Sequence, residues 1–167
     1  MRLYLLRHAH AKGGGDATPD SLRPLTSRGR REAEGVGAFL ASRELPPARV
    51  LCSSAVRAVE TMQLAIARLA APPEVAVLDD LYLASAWKLF ERVRGIEAEG
   101  VAPVLVVAHN PGVAELAARL AQRGDPAARR SLATRFLPAT LAEIELSGER
   151  FSDLSPEAGS LVDLHLA

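Results

Sequence analysis

The sequence predicts an α/β protein, a three-layer α/β/α sandwich with a mostly parallel central sheet, on three observations. Short runs of large aliphatic residues recur, at residues 3–6, 49–52, 75–78 and 103–108. Stretches with helical apolar spacing separate them. Proline pairs and glycines fall at the joints, and alternation of this kind argues for parallel strands joined by helical crossovers.

At 3–6, Leu, Tyr, Leu and Leu in succession suit a strand covered on both faces, and it stops at Arg7 and His8. Residues 12–20, with three consecutive glycines, Pro19 and Asp20, read as a loop. Thr26 or Ser27 is placed to cap a helix whose inner face carries Ala33, Val36, Gly37 and Leu40. Pro46 and Pro47 close that segment. After the second strand, Ser53 or Ser54 caps a helix to about residue 70, packed through Val56, Val59, Met62 or Leu64, and Ile66. The third strand, 75–78, leads to a helix over 84–98 with Trp87, Phe90, Val93 and Arg94 three or four apart, stopped by Gly100. Residues 103–108 are the strongest buried strand, followed by Asn110 as N-cap and Pro111 at the first position of a helix over 113–123. Residues 124–131 read as a loop. The last strands, 140–146 and 161–166, have no helix of their own and are expected to run antiparallel at an edge. No repeat or composition shift divides the chain, so one domain over 1–167 is expected.

Composition narrows the function. The chain is 49% hydrophobic and 24% charged, ordinary for a soluble globular protein. Its 20 basic residues match its 20 acidic ones, so no general attraction to nucleic acid or an acidic membrane follows. The single cysteine, Cys52, excludes an internal disulfide and every multi-cysteine metal site. With no leader-like N-terminus and no apolar run of spanning length, a cytoplasmic protein is the expectation.

Ligands of open α/β sheets sit beyond the carboxyl ends of parallel strands, and three such ends carry phosphate chemistry. The first gives Arg7 and His8: imidazole can attack phosphorus, and a guanidinium fork can hold two of its oxygens. The second leads to Arg57 in the first turn of a helix, where the macrodipole disfavours a cation by roughly 0.3–1 kcal/mol unless an anion compensates. The fourth gives His109 and Asn110 beside the free N–H groups of a helix N-terminus.

These residues fall into a known order. Leu6-Arg7-His8-Ala9, then Leu25-Thr26-x-x-Gly29-x-x-x-Ala33, then Ser53-Ser54-x-x-Arg57-Ala58-x-x-Thr61, then Ala108-His109-Asn110-Pro111, together resemble the histidine phosphatase superfamily. The short form without a cap insert is similar to SixA-type phosphohistidine phosphatases. The resemblance implies a phosphoglycerate mutase-like fold and a phosphatase working without metal or other cofactor. It further implies that His8 is the nucleophile and becomes phosphorylated, with Arg7, Arg57 and His109 around the phosphoryl oxygens and Asn110 beside them. The implied substrate is phosphohistidine in a partner protein, with a small phosphorylated metabolite as the alternative.

Two positions depart from the pattern. Ala9 stands where the family commonly has glycine, and no general acid is clearly in place. Asp79, Asp80 and His10 are the candidates for that acid. A phosphoramidate substrate would explain the shortage, because its P–N bond is labile and its nitrogen can be protonated before it leaves.

Three rivals remain at this level. His8-x-His10 also resembles an amidohydrolase metal site, but that fold needs eight strand–helix units and about 250 residues. A cysteine-dependent phosphatase would use Cys52, yet the chain places only four residues between Cys52 and Arg57 and lacks the glycines of that loop. A non-catalytic phosphate-binding adaptor on the same fold is the third.

Overall fold

The computed structural model describes residues 1–13, 18–96, 102–157 and 159–166. Its first strand, β1 (Arg2–Arg7), sets the plan. Leu3 and Leu5 point to one face of the sheet and Tyr4 and Leu6 to the other, and all four are fully buried. A strand can be apolar on both faces only if both are covered. Helices α1 (Ser27–Ala41) and α2 (Val56–Ile66) cover the Tyr4 face, and α3 (Ala86–Arg94) and α4 (Gly112–Leu120) the Leu3 face.

The remaining strands are β2 (Arg49–Ser53), β3 (Glu74–Leu78), β4 (Val104–Ala108), β5 (Ala121–Arg123), β6 (Leu141–Leu146) and β7 (Gly159–His165). They form one sheet in the order β3-β2-β4-β1-β6-β7-β5. The left half is parallel throughout, with Leu3 opposite Val104 and Leu51 opposite Val106. β6 runs antiparallel to both β1 and β7, as expected, but β5, parallel to β7, closes that edge. The parallel core therefore aims the carboxyl ends of β1, β2 and β4 at one place. That is what positions the site.

The helices differ from expectation in instructive ways. Thr26 caps α1, its hydroxyl accepting from the Gly29 N–H at 3.0 Å. Neither Ser53 nor Ser54 caps α2; its N-cap is Ala55, and no side chain accepts from the first helical N–H groups. Its buried face is Arg57, Ala58, Thr61, Met62 and Ala65, while Val56, Val59 and Ile66 are only partly buried. At Ala65 a small residue is needed because α1 presses close: a Cβ on Gly37 would lie 2.8 Å from the Leu64 carbonyl oxygen and 3.4 Å from the Ala65 Cα. Arg57 thus lies on the inner side of its helix and is only 2% exposed.

Further along, Ser85 caps α3, which ends at Arg94 with Gly95 as C-cap; Gly100 lies outside the described residues. Trp87 is 59% exposed, and its ring lies over the buried Phe90 ring, with centroids 5.6 Å apart, rather than within the core. α4 begins at Gly112, after a cis Asn110–Pro111 bond, and Pro111 rather than Asn110 is its N-cap. It stops at Leu120, and the next three residues become β5. The expected loop after it contains α5 (Pro126–Thr134), capped by the Asp125 carboxylate on the Ala128 N–H, with proline in the first turn.

Candidate active site

The carboxyl ends of β1, β2 and β4 bring His8, Arg57 and His109 into contact, with Arg7 beside them. The His8 Nδ1 lies 2.8 Å from the Ala9 carbonyl oxygen. A carbonyl only accepts, so Nδ1 carries the proton and Nε2 holds the free lone pair. The Arg57 Nε–H points at that Nε2, at 3.2 Å. The His8 and His109 rings stand 5.1 Å apart between centroids.

His109, 2% exposed, is held from both sides. Arg57 Nη2 donates to its Nδ1 at 3.4 Å, which leaves Nε2–H to donate to Ser53 Oγ at 2.7 Å. Ser53, expected as a helix cap, is instead the partner that fixes this ring. Thr61 ties the first two segments together. Its hydroxyl donates to the Arg57 carbonyl at 2.6 Å and accepts from the Ala9 N–H at 3.0 Å. The Thr26–Gly29 motif does the same for the loop after β1. The Thr26 N–H donates to the His10 carbonyl at 3.0 Å, and a Cβ on Gly29 would sit 2.0 Å from that oxygen.

Arg7 donates through Nη1 to the Phe136 carbonyl at 2.9 Å, while its Nε is buried without a hydrogen-bond partner. An unmet buried donor of this kind is costly, and an anion would relieve it. Asn110 donates through Nδ2 to the same carbonyl at 2.9 Å, and its Oδ1 is also unpartnered. It lies beside Arg7 rather than capping the helix.

Sequence reasoning missed one carboxylate altogether. Asp20, in the short turn Asp20–Leu22, reaches back over the site. Its Oδ2 accepts from Arg57 Nη2 at 2.9 Å and from the Tyr82 hydroxyl at 2.6 Å. Its Oδ1 accepts from Arg23 Nε at 2.8 Å, and its backbone carbonyl from Arg57 Nη1 at 2.5 Å. All three guanidinium nitrogens of Arg57 are therefore engaged. The Tyr82 ring stands edge-on to His109, with centroids 5.5 Å apart. The only advance signal was an Asp three residues before an Arg in a loop, which is too common to single out.

The three candidate acids are elsewhere. Asp80 is ion-paired with Lys88 at 3.0 Å and with Arg92, on α3. Asp79 makes no side-chain hydrogen bond or ion pair among the described residues, and His10 is exposed, its ring on the Thr26 hydroxyl. Nor is Asp20 a proton donor as it stands. The Tyr82 hydroxyl, then Arg23 and Arg57, hold its carboxyl far below the usual range.

Both histidines are uncharged at neutral pH. Burial first, then the charges of Arg57, Arg7 and Arg23, push His8 down to about 4, against the opposing pull of the Ala9 carbonyl. Burial, then His8 and Arg57, push His109 down to about 3. The sign for stability follows. The unfolded chain binds these protons near pH 6.5 and the folded chain does so only near 4 and 3, so stability is unaffected above 6.5 and falls on acidification through that window. His165, also lowered by burial, adds in the same direction. Urea unfolding at pH 5 is expected to show a loss on the order of 1–2 kcal/mol for each site ring relative to pH 7. Equal stability at both values would mean that the rings are not desolvated as described.

Cys52 faces the α1–α2 core, fully buried, and burial pushes its thiol up to about 12. It is no nucleophile. Cys52→Ser is expected to keep turnover within about threefold of wild type while costing about 1–2 kcal/mol of stability, read by steady-state kinetics and urea melts.

The fold is phosphoglycerate mutase-like, and comparison with known proteins places it more closely. The profile of the histidine phosphatase superfamily (branch 1) matches residues 3–82. Phosphohistidine phosphatase SixA of Escherichia coli K12 is 34% identical over 126 residues, covering 72% of this chain and 74% of that protein. A solved structure from Nakamurella multipartitia, assigned to SixA, superposes with a TM-score of 0.83 at 28% identity, covering 99% of this chain and 95% of that one. The protein histidine phosphatase SixA complexed with tungstate superposes at 0.76 with 27% identity, covering 98% and 96%. The chain belongs to the histidine phosphatase superfamily, in its short SixA-type branch.

Proposed function

We propose that this histidine phosphatase passes the phosphoryl group through His8 Nε2 without a metal, and that its substrate is phosphohistidine on a partner protein. One observation carries the reading. The Ala9 carbonyl fixes the His8 tautomer, so that an unprotonated Nε2 faces the buried Arg57 guanidinium. In-line transfer to imidazole needs that lone pair and positive charge around the equatorial oxygens. Arg57, Arg7 and the His109 ring supply the surroundings. Phosphoryl oxygens would exchange for the Asp20 contacts on Arg57 and meet the unpartnered Arg7 Nε.

In the first step the substrate P–N bond breaks as the Nε2–P bond forms. Water then attacks phosphorus, releasing phosphate and neutral His8. Asp20 and Asp80 are both held ionised by their partners, which favours a leaving nitrogen that solvent has already protonated. Asn110, next to Arg7, would help hold the phosphoryl group. The single cysteine fits a reducing, cytoplasmic setting.

The test is a panel of phosphohistidine proteins, free phosphohistidine and alkyl phosphates, with and without EDTA. Turnover is expected to be fastest on phosphohistidine and insensitive to EDTA. Faster cleavage of alkyl phosphates would point to a small-molecule phosphomonoesterase. Binding of phosphohistidine with no turnover on any substrate would leave a phosphate-binding adaptor.

A further inference from the structure

The two site histidines are anchored by different chemistry. In His8 the nitrogen away from Arg57 rests on the Ala9 carbonyl, which only accepts, so the tautomer is locked. In His109 the corresponding nitrogen rests on a hydroxyl, Ser53 Oγ at 2.7 Å, which can accept or donate. Both ends of that bond are out of water, Ser53 being fully buried and His109 2% exposed. One ring is fixed; the other can exchange the nitrogen that carries its proton.

Donors and acceptors decide which arrangement wins. Among the described residues Ser53 Oγ meets His109 Nε2 and, at 3.4 Å, the Ala55 N–H. An amide N–H only donates, so when Nε2–H also donates to this oxygen the serine hydrogen is left without an acceptor. The reverse arrangement, Ser53 O–H to Nε2 with the proton on Nδ1, uses that hydrogen. It then points Nδ1–H at Arg57 Nη2, a donor 3.4 Å away. Each arrangement leaves one conflict while Asp20 holds Arg57. An oxyanion lying between Arg57 Nη2 and His109 Nδ1 accepts from both and removes the second conflict. Set against a bare Nδ1 lone pair, the same oxyanion worsens the first. A doubly protonated ring would also meet the anion. Burial, then His8, Arg57 and Arg7, oppose that charge, and only Asp20 favours it.

We propose that Ser53 is the positioning residue of a tautomer switch. When a phosphoryl oxygen reaches Arg57 and His109, the Ser53 hydroxyl turns from acceptor to donor and His109 presents Nδ1–H to that oxygen. One N–H bond forms at Nδ1 as one breaks at Nε2, solvent carries the proton, and the ring stays neutral. The inference rests on the phosphoryl-transfer reading above. It gives two neutral rings opposite parts: His8 keeps a lone pair for phosphorus, and His109 supplies a donor to the developing charge.

The experiment uses the full chain with ¹⁵N-labelled histidine rings at pH 8, with and without tungstate, a tetrahedral dianion at that pH. Long-range ¹H–¹⁵N spectra show which ring nitrogens carry protons, and single-histidine variants assign the signals. Without tungstate the His109 proton is expected on Nε2. With tungstate it moves to Nδ1, while His8 keeps its proton on Nδ1 throughout. Protons on both His109 nitrogens, a proton that stays on Nε2 while tungstate shifts the His8 signals, or one already on Nδ1 without tungstate overturns the switch. By calorimetry, Ser53→Ala is expected to bind tungstate about tenfold or more weakly, and Ser53→Thr, which keeps the hydroxyl, to stay within about threefold of wild type. An alanine variant that binds like wild type also overturns the switch. Should the threonine variant not fold, the wild-type spectra still decide. Tungstate that moves neither ring's signals overturns the phosphoryl-site reading itself, and the switch falls with it.

Discussion

His8→Ala is expected to lower kcat about 10⁴-fold or more, with the fold intact. The size follows from the reaction. If the phosphoryl group passes through Nε2, removing the ring removes the first acceptor rather than one stabilising contact among several. No neighbour can replace it. His109 presents Nδ1 to Arg57 and its other nitrogen to Ser53, and Asp20 is committed to Arg57, Arg23 and Tyr82. Labelling with a ³²P-phosphohistidine substrate and rapid quenching should trap acid-labile, base-stable label on wild type and none on the variant. Label retained on His8→Ala, or turnover within about a hundredfold of wild type, would move the nucleophile elsewhere. Urea unfolding of the variant controls for folding, because His8 is half-buried and its loss leaves the strand residues beneath it in place.

Much of this arrangement could be read in the chain, for reasons that differ by element. β1 and β4 were legible because burial on both faces demands uninterrupted apolar runs. Given parallel strands, the residues after them had to meet, so Arg7, His8 and His109 were predictable as neighbours before any coordinates. Arg57 was legible through its cost at a helix N-terminus, although the cap invoked for it was wrong. Ala55 holds that position, and Ser53 turns to His109. A serine's side chain goes where the tertiary structure offers a partner, and local sequence does not record that choice.

Other features depended on contacts distant in sequence. Asp20 sits in a loop whose path is set by Arg57 and Tyr82, 37 and 62 residues away. β5 is three residues long and exists by pairing with β7. The α5 start was different. Asp125 followed by Pro126 is a cap with proline at the first position, a signal present in the sequence beside Gly124 and polar residues that read equally well as a loop.

Arg57→Ala is expected to lower kcat/KM about 10³-fold, and Arg57→Lys to recover only a small part of that. The argument rests on direction as much as charge. Arg57 sends Nε to His8 and its two terminal nitrogens toward Asp20, a spread of donors that one ammonium cannot reproduce. It is also desolvated, so its charge acts at low effective dielectric on whatever anion replaces Asp20. Loss of the side chain should leave the fold standing, because Asp20 keeps Arg23 and Tyr82 as partners. A second readout separates Arg57 from a merely structural residue. Its positive charge helps hold His8 down at about 4, after burial, so removing it must raise the His8 pKa toward 6.5. The acid limb of the kcat/KM profile should then move to higher pH in Arg57→Ala and stay near its wild-type position in Arg57→Lys. An acid limb that does not move in Arg57→Ala would mean that the guanidinium serves the substrate alone. Activity within about tenfold of wild type would remove Arg57 from the site's chemistry.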